Sequence, residues 1–301
     1  MKYRPLGNTT VSAIGLGAMP LSIENRPDEE RAVATIHAAL DAGITLIDTA
    51  DSYHWHADEC GHNELLIARA LARYGGDTSD VLVATKGGRG RPGDGGWTVT
   101  GTPPLISSTP PKPPSSAWEW RPSACTSCTS PTPTCPGRNR SARCASCSTA
   151  GTIRAAGISN VTTGQIREAH AILGDALVSV QNQYSPAVRD TETELELSTR
   201  LGLAFLPWSP LGGISRSSLD GPSGPTSVGT AFHRIAAERG VSPQQIALAW
   251  LLARSPAVIP VPGASRPASI QDSAKATEVE LEAAELAELS GLSELEAALP
   301  N

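Results

Sequence analysis

The chain has no apolar run of membrane-spanning length, and its opening residues, MKYRPLGNTTVS, lack the apolar core of a secretory leader. Both absences lead us to expect a cytoplasmic protein with no membrane partner. There is no basic excess either: 24 Lys and Arg stand against 30 Asp and Glu, interspersed, for a net charge of −6. That leaves no electrostatic footprint for nucleic acid. Outside one short block Cys60 is the only cysteine, as a reducing compartment would favour. No GxGxxG follows any apolar run, so an open, doubly wound dinucleotide-binding sheet has little support. Nothing in the chain bears on its oligomeric state.

What is present is an alternation. VSAIGLGAMPL (11–21) is a buried-strand signal with glycines. PDEERAVATIHAALDAG (27–43) is a helix pattern: Asp28 can cap it, acids fill its first turn, Val33, Ile36 and Leu40 form a stripe, and Gly43 ends it. TLIDTA (45–50) and VLVATK (81–86) are strands around NELLIARALARYGG (63–76), a helix with Asn63 as its cap and Gly75 as its stop. The rhythm resumes with the strands AAGISN (155–160), LVSVQNQYS (177–185) and LAFLPWSPLG (203–212), separated by helices over 162–173 and 191–202. A Gly/Ser/Pro stretch, 213–227, is a loop or a linker. Helical stretches follow over 229–240 and 243–254, then the strand AVIPVPG (257–263) and an acidic last helix. Near-continuous apolar strands alternating with helices predict a parallel sheet covered by helices. Seven strands are legible, with room for one more, and eight close a (β/α)8 TIM barrel of α/β class. At 301 residues the whole chain, 1–301, suits one such domain.

In such a barrel, polar residues at the carboxyl ends of the strands face the site. Those positions hold Asp48, Tyr53, Lys86, Ser159, Asn160, Gln181, Trp208, Ser209, Ser265 and Arg266. A buried Asp–Lys pair beside a tyrosine has a chemical use. The ammonium favours phenolate over phenol, so the tyrosine can give its proton to a developing alkoxide.

DTADSY (48–53), GHNE (61–64), VLVATKGG (81–88), GISN (157–160), VQNQYS (180–185), PWSPLGG (207–213) and IPVPGASRP (259–267) together resemble the aldo-keto reductases. The resemblance covers about residues 1–101 and 150–300. It implies a (β/α)8 oxidoreductase that uses NADPH to reduce a small-molecule carbonyl, an aldehyde or a ketone. Tyr53 is then the general acid, tuned by Asp48 and Lys86. Ser159, Asn160 and Gln181 would hold the nicotinamide carboxamide, and Trp208 would stack on its ring. Ser209, Leu211 and Gly212 would belong to the same cofactor site, and Arg266 with Ser265 would meet the 2′-phosphate. Val261 stands where the family usually has a basic residue, which leaves NAD open beside NADP. The resemblance also implies a histidine at the end of the fourth barrel strand, near residues 122–130. The stretch there is PSACTSCTS.

That stretch lies in an anomalous block. Between Thr102 and Thr149 the only aliphatics larger than alanine are Leu105 and Ile106, and prolines, serines, threonines and five cysteines fill much of the rest. Such a segment cannot bury enough apolar surface to offset the entropy of ordering it. Three readings compete. Cys125, Cys128, Cys144 and Cys147 have the spacing of a four-thiolate zinc site, but the chain between the pairs has little to pack, and no metal is expected. Disulfides conflict with a reducing compartment, and five cysteines leave one over. In the third reading the frame has slipped near Gly101 or Thr102 and returns near Ala150. Read from the third codon base, Ala117 to Trp120 can become Leu-Gly-Val, and Ala124 onward can become Leu-Tyr-Gln-Leu-His-Gln-Pro. The codon spanning Cys128 and Thr129 can encode only His or Tyr. This reading restores helix, strand and helix in order, and the flanks favour it. As written, the block is expected to replace the fourth strand and its flanking helices with irregular chain, leaving a barrel of marginal stability and impaired activity. A silent NADP-binding or regulatory protein is the alternative to a working reductase.

Overall fold

A computed structural model describes residues 1–87, 89–90, 98–99, 125–129, 155–214 and 230–296. The chain opens with a hairpin, β1 (Tyr3–Leu6) against β2 (Thr9–Ser12), which the sequence reading missed. Gly7 at its turn has φ +59°, and a Cβ there would lie 2.4 Å from Val178 Cγ1, so only glycine fits. The parallel sheet follows: β3 (Leu16–Gly17), β4 (Leu46–Asp48), β5 (Leu82–Gly87), then past a two-stranded ribbon of β6 (Arg89–Gly90) and β7 (Thr98–Val99) to β8 (Cys125–Thr129), β9 (Ala155–Ser159), β10 (Leu177–Gln181) and β11 (Ala204–Phe205). Residues 257–263 close it. Phe205 N–H donates to Ala257 and Ile259 N–H to Phe205 on one side, and Gly15 and Gly17 N–H donate to Pro260 and Pro262 on the other. Pro260 and Pro262 have no N–H to give, which thins this eighth strand's ladder without opening the barrel. The eight-stranded parallel barrel is therefore present.

The expectation of an irregular fourth strand is corrected. Cys125–Thr129 runs parallel between its neighbours, with Thr126 opposite Thr85 and Ala156, and Cys128 opposite Gly87 and Ile158. No proline falls between Pro122 and Pro131. Two flanking strands whose N–H and C=O groups need partners will pair with any donor-bearing backbone that reaches them. The helices expected to flank this strand, and the loop from 215 onward, lie outside the described residues, as do the side chains of all five block cysteines.

Helices cover the sheet: α1 (Glu29–Asp41), α2 (His62–Arg73), α3 (Thr163–Leu173), α4 (Glu192–Arg200), α5 (Ala231–Arg239), α6 (Pro243–Arg254), α7 (Pro267–Lys275) and α8 (Ala283–Glu296). Asp28 caps α1 as expected, accepting from Arg31 N–H at 2.8 Å. Thr162 and Gln165 form a reciprocal capping box on α3. At α2 the expectation fails: Gly61, with φ +80°, is the cap, and Asn63 lies inside the first turn. Its side chain is buried instead, accepting from Thr49 Oγ1 at 2.6 Å and donating to Ala18 O and Ser22 Oγ. The strand expected over 203–212 shortens to two residues because Pro207 and Pro210 cannot donate to a ladder.

Inside the barrel, Leu46, Ala84, Val178, Ala204, Leu206, Ile259 and Val261 pack with Leu6 and Val11 of the hairpin. Leu6 and Val11 thus stop the end where the strands begin. Arg4 fastens the hairpin, donating to the Leu252 and Ser255 carbonyls at the end of α6 and to the Val258 carbonyl in the closing strand. With that end filled, the open mouth is the one where the strands finish. Among the described residues no helix is long and apolar enough to cross a membrane.

Candidate active site

The ladder between β4 and β5 continues past β4, with Thr49 N–H donating to Ala84 O at 2.8 Å and Asp51 N–H to Lys86 O at 3.1 Å. Tyr53 N–H then turns back onto Ala50 O at 3.2 Å. This turn brings the phenol onto the lysine, with Tyr53 Oη 3.1 Å from Lys86 Nζ. Gly61 N–H donates to Asp51 O at 2.8 Å and closes the loop.

Lys86 uses all three ammonium donors: Asp48 Oδ2 at 2.6 Å, Thr49 O at 2.9 Å and Tyr53 Oη at 3.1 Å. Its ammonium also lies 5.0 Å from the centre of the Tyr53 ring. Lys86 and Asp48 are both buried. Burial pushes the lysine pKa down, but the charges of Asp48 and Tyr53 outweigh it, and the net direction is up. Lys86 therefore stays an ammonium, held against the one phenol it can polarise.

Asp48 has a second partner that the sequence reading did not foresee. Gln181 Nε2 donates to its Oδ1 at 2.8 Å. β10 and β4 are not neighbours in the sheet, so this bond crosses the barrel interior. Gln181, Asp48, Lys86 and Tyr53 form one connected chain of hydrogen bonds. The only signal in the sequence was that both residues end apolar strands, where side chains point inward.

Beside that chain, Asn160 stands in the left-handed region at φ +55°. Its N–H donates to Gln181 O at 3.0 Å, its Nδ2 donates to Ser159 Oγ at 3.1 Å, and its Oδ1 accepts from Trp208 Nε1 at 3.1 Å. Ser159, Asn160, Gln181 and Trp208 are thus brought together at the mouth. Ser209, at φ +48°, starts the turn that carries Leu211 and Gly212. Gly212 N–H donates to Ser209 O at 3.1 Å, and a Cβ on Gly212 would sit 2.7 Å from Ser185 Oγ. Ser265 and Arg266 follow the closing strand. Arg266 occupies the cap position of α7 with its side chain exposed, and its side chain makes no capping bond there. Pro267 has no N–H and Ser269 N–H donates to Arg266 O at 3.1 Å, so what this end of α7 offers an anion is the exposed guanidinium.

Of the histidines after β4, His54 is tied into its own loop and His62 is held by Ser22. His54 is buried with Nδ1 2.7 Å from His56 O, and His62 Nδ1 lies 2.9 Å from Ser22 Oγ. Arg26 clamps the same loop through both oxygens of Glu59 at 2.8 Å, holding the Glu59 carboxyl down at about 2. Among the described residues no cluster of His, Cys, Asp and Glu could hold a metal ion.

The polar set fits a nicotinamide dinucleotide. Asp48 fixes the Gln181 amide so that its carbonyl oxygen turns away from the carboxylate. A flat indole stands beside Asn160, and a guanidinium lies at a helix N-terminus. An amide, an aromatic plane and a phosphate are the matching chemistries.

A model of the aldo/keto reductase family matches residues 13–107 and 127–294. The gap between the two matched stretches falls within the anomalous block. An uncharacterized oxidoreductase of Schizosaccharomyces pombe is 31% identical over 295 residues, covering 94% of this chain and 87% of its own length. The pyridoxine 4-dehydrogenase of Escherichia coli is 29% identical over 300 residues, with 96% and 97% covered. Among solved structures, an aldo-keto reductase from Klebsiella pneumoniae in complex with NADPH aligns with a TM-score of 0.69 at 22% identity, over 97% of this chain and 95% of that one.

Proposed function

This chain belongs to the aldo/keto reductase family, and from that premise we propose that it reduces a small aldehyde or ketone to the alcohol with NADPH. The observation that carries this reading is the Lys86 ammonium shared between Asp48 and Tyr53 in a buried site. When bound, the dinucleotide supplies the hydride to the carbonyl carbon. The Tyr53 hydroxyl gives its proton to the carbonyl oxygen, and Lys86 stabilises the phenolate that remains. Asp48 keeps Lys86 charged and, through Gln181, links the tyrosine to the residues that hold the nicotinamide. Ser159, Asn160 and Gln181 orient the carboxamide, Trp208 packs against the ring, and Ser209, Leu211 and Gly212 form the turn beside it. Ser265 and Arg266 take the 2′-phosphate. A soluble, cytoplasmic enzyme suits this chemistry.

The test is consumption of reduced cofactor with p-nitrobenzaldehyde as substrate, alongside cofactor binding followed by fluorescence. Turnover with saturable binding supports the reading. The absence of histidine from the strand Cys125–Thr129 favours a second one, binding without turnover by a regulatory protein. No affinity for either nicotinamide dinucleotide removes both.

Arg266 carries its own expectation. Arg266→Ala should raise the Kd for NADPH about ten- to hundredfold, the worth of one or two charge-assisted bonds, and leave that for NADH nearly unchanged. Equal losses for both dinucleotides would move the 2′-phosphate elsewhere.

A further inference from the structure

Asn160 follows β9 and Trp208 follows β11, and β10 lies between those two strands in the sheet. Two strand spacings come to about 10 Å, more than an asparagine side chain spans. The 3.1 Å bond from Trp208 Nε1 to Asn160 Oδ1 therefore passes over the end of β10. Asn160 leans across to make it. Its backbone is left-handed, at φ +55°, and its N–H donates to Gln181 O at 3.0 Å. Asparagine is among the few residues that tolerate this conformation, and such backbones gather at binding sites, where their surroundings hold them.

The backbone of Trp208 is fixed as well. Its N–H donates to Asn182 O at 3.1 Å, and Ser209 after it is left-handed at φ +48°. Asn182 is buried, and its side chain accepts from Val161 N–H at 3.0 Å and donates to Val161 O at 2.7 Å. The ends of β9 and β10 and the indole thus belong to one hydrogen-bonded network. Chemistry settles which way the Asn160 amide faces in it. An indole nitrogen only donates, so the carbonyl oxygen faces Trp208, and Nδ2 is left to donate to Ser159 Oγ at 3.1 Å.

A half-buried indole at the mouth is not held by packing alone, and its far end swings unless something takes the N–H. We propose that Asn160 is a positioning residue for Trp208, fixing the tilt of the indole before a nicotinamide ring packs on it. A surface ordered in advance costs less to bind. The role is separate from any bond between Asn160 and the carboxamide, and it requires tryptophan at 208, because phenylalanine has no donor to offer. This inference rests on Trp208 as the surface for the nicotinamide in the proposed reaction.

The contact is tested first without cofactor. In the full chain with 15N-labelled tryptophan, the Trp208 indole N–H resonance is the one missing from Trp208→Phe. Asn160→Gly deletes the amide and keeps the left-handed backbone, which glycine adopts freely. It should move that resonance upfield and quicken its exchange with solvent hydrogen. Asn160→Asp keeps an acceptor and the tolerance of positive φ, and should hold the resonance downfield. A Trp208 resonance that neither moves nor exchanges faster in Asn160→Gly overturns the proposal.

A double-mutant cycle on cofactor binding reads the consequence. Asn160→Gly should raise the Kd for NADPH about tenfold, and that for NADH by a similar factor, since both carry the same nicotinamide. In Trp208→Phe no indole N–H remains to be held. There the same substitution should cost only about two- to threefold. Equal factors in the two chains would leave the carboxamide as the whole of the effect and overturn the proposal. Should neither dinucleotide bind any of these chains, the reductase reading falls, and the resonance still decides whether Asn160 holds the indole.

Discussion

Tyr53→Phe is expected to lower the rate of carbonyl reduction about 100- to 10,000-fold, the usual worth of a positioned acid, while NADPH binds within about twofold of its former affinity. The substitution deletes one hydroxyl and keeps the ring that the ammonium of Lys86 faces at 5.0 Å. Lys86 keeps two of its three acceptors, Asp48 Oδ2 and Thr49 O, so the ion pair and the ladder around it persist. The loss should therefore appear in the hydride-transfer step and not in cofactor affinity. Lys86→Met makes the complementary case. It leaves the Asp48 carboxylate buried without its charge partner, and a buried charge stripped of its partner destabilises the fold by about 3–5 kcal/mol. The two variants can thus be told apart by thermal melting. Tyr53→Phe melts as the parent does, whereas Lys86→Met melts lower and is inactive for two reasons. Undiminished turnover by Tyr53→Phe would overturn the assignment of the proton donor.

How much of this was legible beforehand varies with the physical source of each feature. Local signals were readable: Asp28 ahead of two glutamates, the helix over 162–173, which the structure starts one residue later, and the bounds of Pro243–Arg254 matched what the structure shows. Each depends on contacts within one turn of a helix. Asn63 was misread for the same reason. It has the chemistry of a cap, but Thr49, Ala18 and Ser22, distant in sequence, offer its amide a full set of partners. The hairpin Tyr3–Ser12 has no strong alternation, and its place is decided by Arg4 reaching carbonyls some 250 residues away. In the site, the cluster of Asp48, Tyr53 and Lys86 followed from strand ends, whereas the Gln181–Asp48 bond and the Asn160–Trp208 bond depend on how the barrel closes. Closure is a property of the whole sheet, and no window of sequence contains it.

The strand Cys125–Thr129 is the extreme case, because its pairing is satisfied by backbone alone. Composition there predicts nothing about a strand, and the family match itself breaks off at 107 and resumes at 127. The shifted reading frame makes a definite claim about this place. Sequencing the coding DNA across codons 100–152 is expected to show an insertion or deletion near codon 101 or 102 and a compensating one near codon 150. Translated in the other frame, the codon across Cys128 and Thr129 encodes His or Tyr. Those two residues pair with Ile158 and Ser159, and Cys128 also with Gly87, the residue after Lys86, so the changed position lies on the strand next to the one that carries the proton donor's lysine. A chain carrying the restored segment should reduce p-nitrobenzaldehyde about 100- to 10,000-fold faster than the chain as it stands, if an orienting imidazole is what it regains. The same segment exchanges Cys-Thr-Ser-Cys-Thr for a stretch that can carry two leucines. At about 1.5–3 kcal/mol for each buried leucine, melting should rise by on the order of 10 °C. Rate and melting temperature respond to different residues of the segment, and both must increase. An unbroken frame through these codons, with no compensating changes, would falsify the shift and return the missing histidine to being a property of this enzyme.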